Sequence, residues 1–170
     1  MKEAESLILL TPKRAKHLDG IYYHLTTERC LPDKIELYPK IPRSASIYES
    51  DIPRICVAPS ISQCLISICH KHLYNMFAVY KTNAEVYLPM GVPDAKVTGE
   101  VWCLNDQGII FERCNTIICI NEESWKEFKK ILKDTYVKSW TWMGVDLKKL
   151  ERYHLLVKEQ LKKMEIENKP

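Results

Sequence analysis

Arg54-Ile55-Cys56-Val57-Ala58-Pro59-Ser60-Ile61-Ser62-Gln63-Cys64-Leu65-Ile66-Ser67-Ile68-Cys69 is the stretch whose reading decides the fold. Ile55, Cys56, Val57 and Ala58 form a continuous apolar run, as in a strand covered on both faces. Pro59 has no N–H and stops the ladder. Ser60 is placed to cap a helix, with Gln63 three residues on to close a capping box. Apolar residues then recur at Ile61, Cys64, Leu65, Ile68, Leu73 and Met76. That stripe at helical spacing predicts an amphipathic helix over Ser60–Phe77. Strand, turn and helix N-terminus put backbone donors beside a hydroxyl, an arrangement suited to a phosphate or nucleotide. The same pattern also reads simply as a well-capped core helix.

Working outward, the flanking segments supply strands. Ile21-Tyr22-Tyr23-His24-Leu25-Thr26 is rich in strand formers, and a period of two puts His24 on one face with Tyr22 and Thr26. Residues 6–10 read as a shorter strand, and Thr11-Pro12 opens a basic turn or helix through His17. Pro32, Pro39, Pro42 and Pro53 make residues 30–53 a long loop, either a binding loop or a surface loop packed by its own Ile and Tyr side chains. Met76–Thr82, Glu85–Leu88 and Glu100–Leu104 read as strands. Asn105-Asp106-Gln107-Gly108 is a turn, with Ile109–Arg113 returning as the hairpin partner of Glu100–Leu104. Thr116–Ile120 reads as the last strand.

The last 50 residues change character. Trp125, Phe128, Leu132 and Tyr136 line one face of a helix predicted from Glu122 to Tyr136. Leu147, Leu150, His154, Val157, Leu161 and Met164 give Asp146–Glu165 a three-four seam, which suits packing on the domain or self-association into a homo-oligomer. The expected fold class is therefore α+β: a mostly antiparallel split β-sheet, a central amphipathic helix and two C-terminal helices. Residues 1–120 form the main domain and 121–170 a helical extension.

Composition narrows the function classes. The chain has 170 residues, 46% of them hydrophobic, enough to bury a sizeable core. Net charge is +3. Residues 1–120 balance 13 basic against 13 acidic side chains, and 121–170 carry 12 against 9. That distribution does not make the concentrated basic face of a nucleic-acid binder. No apolar run approaches the roughly 18 residues of a membrane span. Seven cysteines, an odd number lying within apolar runs and without a signal peptide, point to reduced thiols in a cytoplasm. Without a Cys-x-x-Cys pair, zinc is not expected, and His70 and His72 fall on different faces of the predicted helix.

Two residues stand out as candidates for chemistry, His24 and Glu100. Each lies on a β-rich segment among apolar neighbours, where a satisfied core histidine and a solvated edge charge are the ordinary alternatives. The order of the pieces resembles the ADP-ribosyltransferase fold in its broad sense, which takes in poly-ADP-ribose polymerases, diphtheria-type toxins and many small phage proteins. Tyr22-Tyr23-His24-Leu25-Thr26 resembles the strand that carries the ribose-holding His. Arg54–Ser60 and its helix resemble the second block, and Thr98-Gly99-Glu100-Val101-Trp102 resembles the strand that opens with the catalytic Glu. The match covers about residues 20–120, with short, degenerate motifs.

The resemblance implies transfer of ADP-ribose from NAD to an unknown acceptor, without a metal. It implies Glu100 as the catalytic carboxylate and His24, Thr26, Tyr48, Arg54 and Ser60 as nucleotide-binding residues. It places a cysteine, Cys56, where the nicotinamide-stacking aromatic would fall, so that Tyr48 or Tyr22 replaces it or the transferase activity is lost. Two alternatives follow: a non-catalytic binding or inhibitor protein of phage or mobile-element origin, acting on a host or defence enzyme, and an RNA 2′-phosphotransferase-like enzyme. The near-neutral charge of residues 1–120 counts against the latter.

Overall fold

A computed structural model describes residues 13–15, 20–27, 32–42, 51–68, 76–92, 95–119 and 165–167, together with Glu122 and Lys126. Its elements in chain order are β1 (Arg14–Ala15), β2 (Tyr22–Thr26), β3 (Lys34–Leu37), β4 (Ile55–Val57), α1 (Ile61–Ile68), β5 (Met76–Thr82), β6 (Val86–Tyr87), α2 (Ala95–Thr98), β7 (Val101–Cys103), β8 (Ile109–Cys119) and β9 (Glu165–Glu167). The strands form two antiparallel sheets. One has the order β1-β6-β7-β4; the other has β2-β5-β8-β3, with β9 also on β8.

The sheets meet along β4. Tyr23 and Ala58 exchange backbone hydrogen bonds of 2.8 and 3.1 Å, which ties β4 to β2. Lys40 and Arg54 do the same at 3.3 and 3.0 Å, which ties the start of β4 to the chain just after β3. A three-residue strand is thus anchored at both ends and paired in register with β7, Cys56 opposite Trp102. β5 is the centre of the larger sheet, and Phe77, Ala78, Val79 and Tyr80 are all buried, as their unbroken apolar run requires. Tyr22, Ile55, Val57, Tyr80, Val101 and Phe111 belong to one core between the sheets.

The expected α+β class is corrected by this architecture. Among the described residues the fold is mostly β, and its two helices are short, eight and four residues. The predicted central helix is α1 alone, ending at Ile68 within the described residues; Met76, the last position of the stripe, opens β5 instead. Apolar spacing does not separate a helix face from a buried strand when the two follow each other closely. The predicted C-terminal helices, 122–136 and 146–165, lie outside the described residues except at three points. Glu122 and Lys126 have helical backbone and form an i,i+4 ion pair of 3.0 Å. Glu165, the expected helix end, belongs to β9 and pairs with Ile118. The strand expected at 6–10 is also outside the described residues.

Four smaller differences concern the strands. Arg14–Ala15, read as part of a basic turn or helix, is β1, paired with β6 and carrying an exposed Arg14–Glu85 ion pair of 3.3 Å. Lys34–Leu37, inside the proline-rich loop, is β3 on the edge of β8. The expected hairpin is not one: β7 pairs with β4 and β6, whereas β8 pairs with β3, β5 and β9. The turn at 105–108 therefore passes the chain from one sheet to the other. The Asn105 side chain accepts from the Gln107 N–H at 3.0 Å, and Gly108 has φ +93°, so the turn chemistry itself is as read. The two strands predicted at 109–113 and 116–120 are one strand of eleven residues.

Candidate functional site

β2 and β4 lie side by side because Tyr23 bonds to Ala58, and this brings the His24 ring over the end of β4. Its Nδ1 is 3.1 Å from the Cys56 carbonyl oxygen. A carbonyl only accepts, so Nδ1 carries the proton, and the neutral ring keeps a lone pair on Nε2. Phe111 packs against the other side, with ring centroids 5.8 Å apart and a tilt of 56°. Withdrawal from water lowers the His24 pKa from the usual 6.5, the Cys56 hydrogen bond opposes this, and the Lys40 charge adds to it. The imidazole is neutral at physiological pH.

The helix α1 begins where the sequence places it. Ser60 Oγ accepts from the Gln63 N–H at 3.3 Å and donates to Gln63 Oε1 at 2.8 Å. It also lies 3.1 Å from Ser62 Oγ. The hydroxyl is therefore engaged as a cap. α1 then aims Cys64 at β2, where its thiol donates to the Tyr23 carbonyl at 3.1 Å. Burial pushes that thiol up to about 12. Gly99, just before Glu100, has φ +65°, and a Cβ there would collide with the Gln63 side chain. Glycine both permits the left-handed backbone and lets the approach to β7 close onto α1.

Glu100 leads into β7. Its Oε1 accepts from the Trp102 indole N–H at 2.7 Å, and its own N–H donates to Thr98 Oγ1 at 3.3 Å. Trp102 is wholly buried, and the Arg54 guanidinium stacks on it, 4.4 Å from the ring centroid. Arg54 is itself only 2% exposed and donates to the Ile52 carbonyl at 3.3 Å. Glu100 and Arg54 both act on the Cys56 thiol. Burial raises its pKa most; the charge and hydrogen bond of Glu100 raise it further, and Arg54 opposes them.

These groups surround a cavity of about 160 Å³ at the junction of the sheets. His24 and Leu25 from β2, Cys56, Val57 and Ala58 from β4 and the residue after it, Cys64 from α1, and Glu100 line it. Most of the wall is apolar. The polar groups are an imidazole, two thiols and one carboxylate.

No family model, curated protein or solved structure matches this chain. Geometry therefore carries the reading of the site. The structure brings His24 and Glu100 into one cavity beside the Pro59–Ser60 turn, although 76 positions separate them in sequence. Ser60 serves as the helix cap and is not among the residues that line the cavity. Thr26, the last residue of β2, pairs with Ala78. Arg54, expected to bind the nucleotide, is instead buried against Trp102 and does not line the cavity. Tyr22, one of two residues expected to replace the stacking aromatic, is 3% exposed and belongs to the core; Tyr48 lies outside the described residues.

The sequence reading does not assign Trp102 or Cys64 to the site, and it brings in Cys56 only as the residue in the place of the stacking aromatic. The signal for Trp102 is its spacing: residues two apart on a strand share a face, so a Glu-x-Trp at a strand entrance sets a carboxylate beside an indole N–H. Among the described residues no group of three His, Cys, Asp or Glu side chains is placed to hold a metal ion. Cys56, Cys64, Cys103 and Cys114 are free thiols. Among the described residues no helix is long and apolar enough to cross a membrane.

The partly buried imidazole makes stability depend on pH. The folded-state pKa lies below the unfolded value, so the unfolded chain takes up the proton first. The stabilising contribution is complete above about pH 6.5, declines as pH falls below that, and is lost once the folded-state value is passed. Melting the wild type and His24→Gln between pH 7.5 and 5 is expected to show a larger decline in the wild type. Parallel curves would show that His24 is not the group responsible.

Proposed function

We propose that this chain is an ADP-ribosyltransferase-like protein that binds NAD or a related nucleotide in the cavity between β2, β4, α1 and β7. The observation that carries this reading is the convergence of a neutral His24 and an anionic Glu100 on one apolar cavity beside a strand–turn–helix. Ribose offers hydroxyl donors, and the two side chains offer acceptors: the Nε2 lone pair and the carboxylate. The charge of Glu100 also suits a cationic ligand group. In NAD cleavage the bond between ribose C1′ and the nicotinamide nitrogen breaks, and its electron pair leaves with nicotinamide. Positive charge develops over C1′ and the ring oxygen, where a nearby carboxylate stabilises it. An acceptor nucleophile then adds to C1′ and loses its proton. Free, high-pKa thiols fit a reducing cytoplasm, which is the compartment this reading assigns.

A second reading is a binding protein without turnover, acting on another protein. Cys56 favours it, because this thiol occupies the wall where a stacking aromatic is expected and Tyr22 is committed to the core.

Calorimetry with NAD, together with a nicotinamide-release assay, tests the proposal and separates the two readings. His24→Ala is expected to weaken NAD binding by about 1–2 kcal/mol, the value of one hydrogen bond to a ribose. Binding without nicotinamide release selects the binding protein. A wild type that neither binds nor cleaves NAD removes the transferase reading and leaves the cavity to another ligand or a protein partner.

A further inference from the structure

We infer that Trp102, backed by Arg54, is a positioning residue that fixes the carboxylate of Glu100 at the cavity. The inference rests on the reading of that cavity as a nucleotide site, and it adds how the site holds its charged group. The indole N–H is a lone donor on a side chain that is wholly buried, so it needs an acceptor inside the protein. It finds Glu100 Oε1 at 2.7 Å, a charge-assisted bond at the short end of the N–H···O range.

The indole in turn has little freedom. Its strand is paired on both edges, with Cys56 on one side and Tyr87 on the other. Its face carries the Arg54 guanidinium at 4.4 Å. A cation over the ring draws electron density from it and polarises the N–H toward the carboxylate, so the two contacts reinforce each other. Arg54 is fixed by its backbone bridge to Lys40 and by its bond to Ile52. The order of support is thus backbone, guanidinium, indole, carboxylate. Glu100 is a flexible side chain at a strand entrance, and this array leaves one of its oxygens committed before any ligand arrives. A carboxylate meant to meet a developing cation is most effective when it does not have to reorganise.

Trp102→Phe tests this directly: it keeps an aromatic face for Arg54 and most of the packing, and removes only the N–H. The assay is nicotinamide release from NAD, with thermal melts to confirm folding. The expected result is a fall in kcat of about 10²-fold, the scale of a small misplacement of a catalytic group, with KM within about twofold. A loss confined to KM, or turnover equal to wild type, would overturn the inference. Arg54→Lys is a second variant, which keeps the charge and loses the flat stack; it is expected to lower kcat less than Trp102→Phe while leaving KM unchanged.

A spectroscopic arm does not depend on turnover. The indole N–H proton of Trp102, assigned by its absence in Trp102→Phe, is expected downfield in the wild type and to move upfield in Glu100→Gln. If the wild type does not cleave NAD, the transferase reading fails and this resonance alone decides the positioning role. A shift on Glu100→Gln upholds it, and an unmoved resonance sinks it.

Discussion

Glu100→Gln is expected to lower the rate of nicotinamide release by about 10²–10³-fold, the range found when a single charge-stabilising group is removed from an active site. NAD affinity should change little. The substitution keeps the volume of the side chain and an oxygen that accepts from Trp102, which preserves the 2.7 Å contact in kind. It removes the negative charge from an otherwise mostly apolar cavity. The neutral amide still meets a ribose hydroxyl in the ground state, so binding persists. The oxocarbenium-like state has no counter-charge, so kcat falls. Calorimetry and the release assay on the same preparation read the two effects separately. Equal turnover in the variant and the wild type would show that the catalytic carboxylate lies elsewhere. A loss of binding as large as the loss of rate would assign Glu100 to ground-state recognition.

How much of this site is legible before any coordinates depends on the range of the interaction. Ser60 as a cap, the end of β4 at Pro59 and the buried run of β5 are local consequences of residue chemistry, and the described structure carries each of them. The extent of α1 is not local. Leu73 and Met76 continue the apolar stripe of Ile61 and Ile68, but Met76 pairs with Cys119 in a sheet, and sheet pairing overrides the helical period. The missed hairpin has a similar cause. Asn105 and Gly108 specify a reversal, yet a reversal makes a hairpin only if the flanking strands have edges free for each other. β7 spends its edges on β4 and β6, and β8 spends its edges on β5, β3 and β9. Within the site, the order of segments suffices to nominate His24 and Glu100. Arg54 behaves otherwise: a charged residue before a strand reads as a surface ligand, whereas the register of β4 against β7 lays its guanidinium over the Trp102 ring. The aromatic that makes this burial tolerable is 48 residues away in the sequence.

Phe111→Ala is expected to give the largest loss of stability, about 3–5 kcal/mol, as for other large aromatics truncated in a core. That is a substantial share of the roughly 5–15 kcal/mol that separates folded from unfolded states in a typical domain. Phe111 is wholly buried in β8, opposite Ile35 of β3, and it belongs to the core that joins the sheets. Its ring also supports one face of His24. Truncation therefore leaves a void beside the imidazole whose Nδ1–H is bonded to Cys56, and it weakens the wall that orients Nε2. Urea unfolding is expected to show a lower midpoint, and calorimetry weaker NAD binding even under conditions where the variant is folded. Phe111→Leu, which retains apolar bulk, should recover more than half of the stability but less of the affinity, because a branched aliphatic does not reproduce the tilted ring contact. A cost below about 1 kcal/mol for Phe111→Ala, the range of substitutions on a surface, would show that β8 does not form the core wall behind His24.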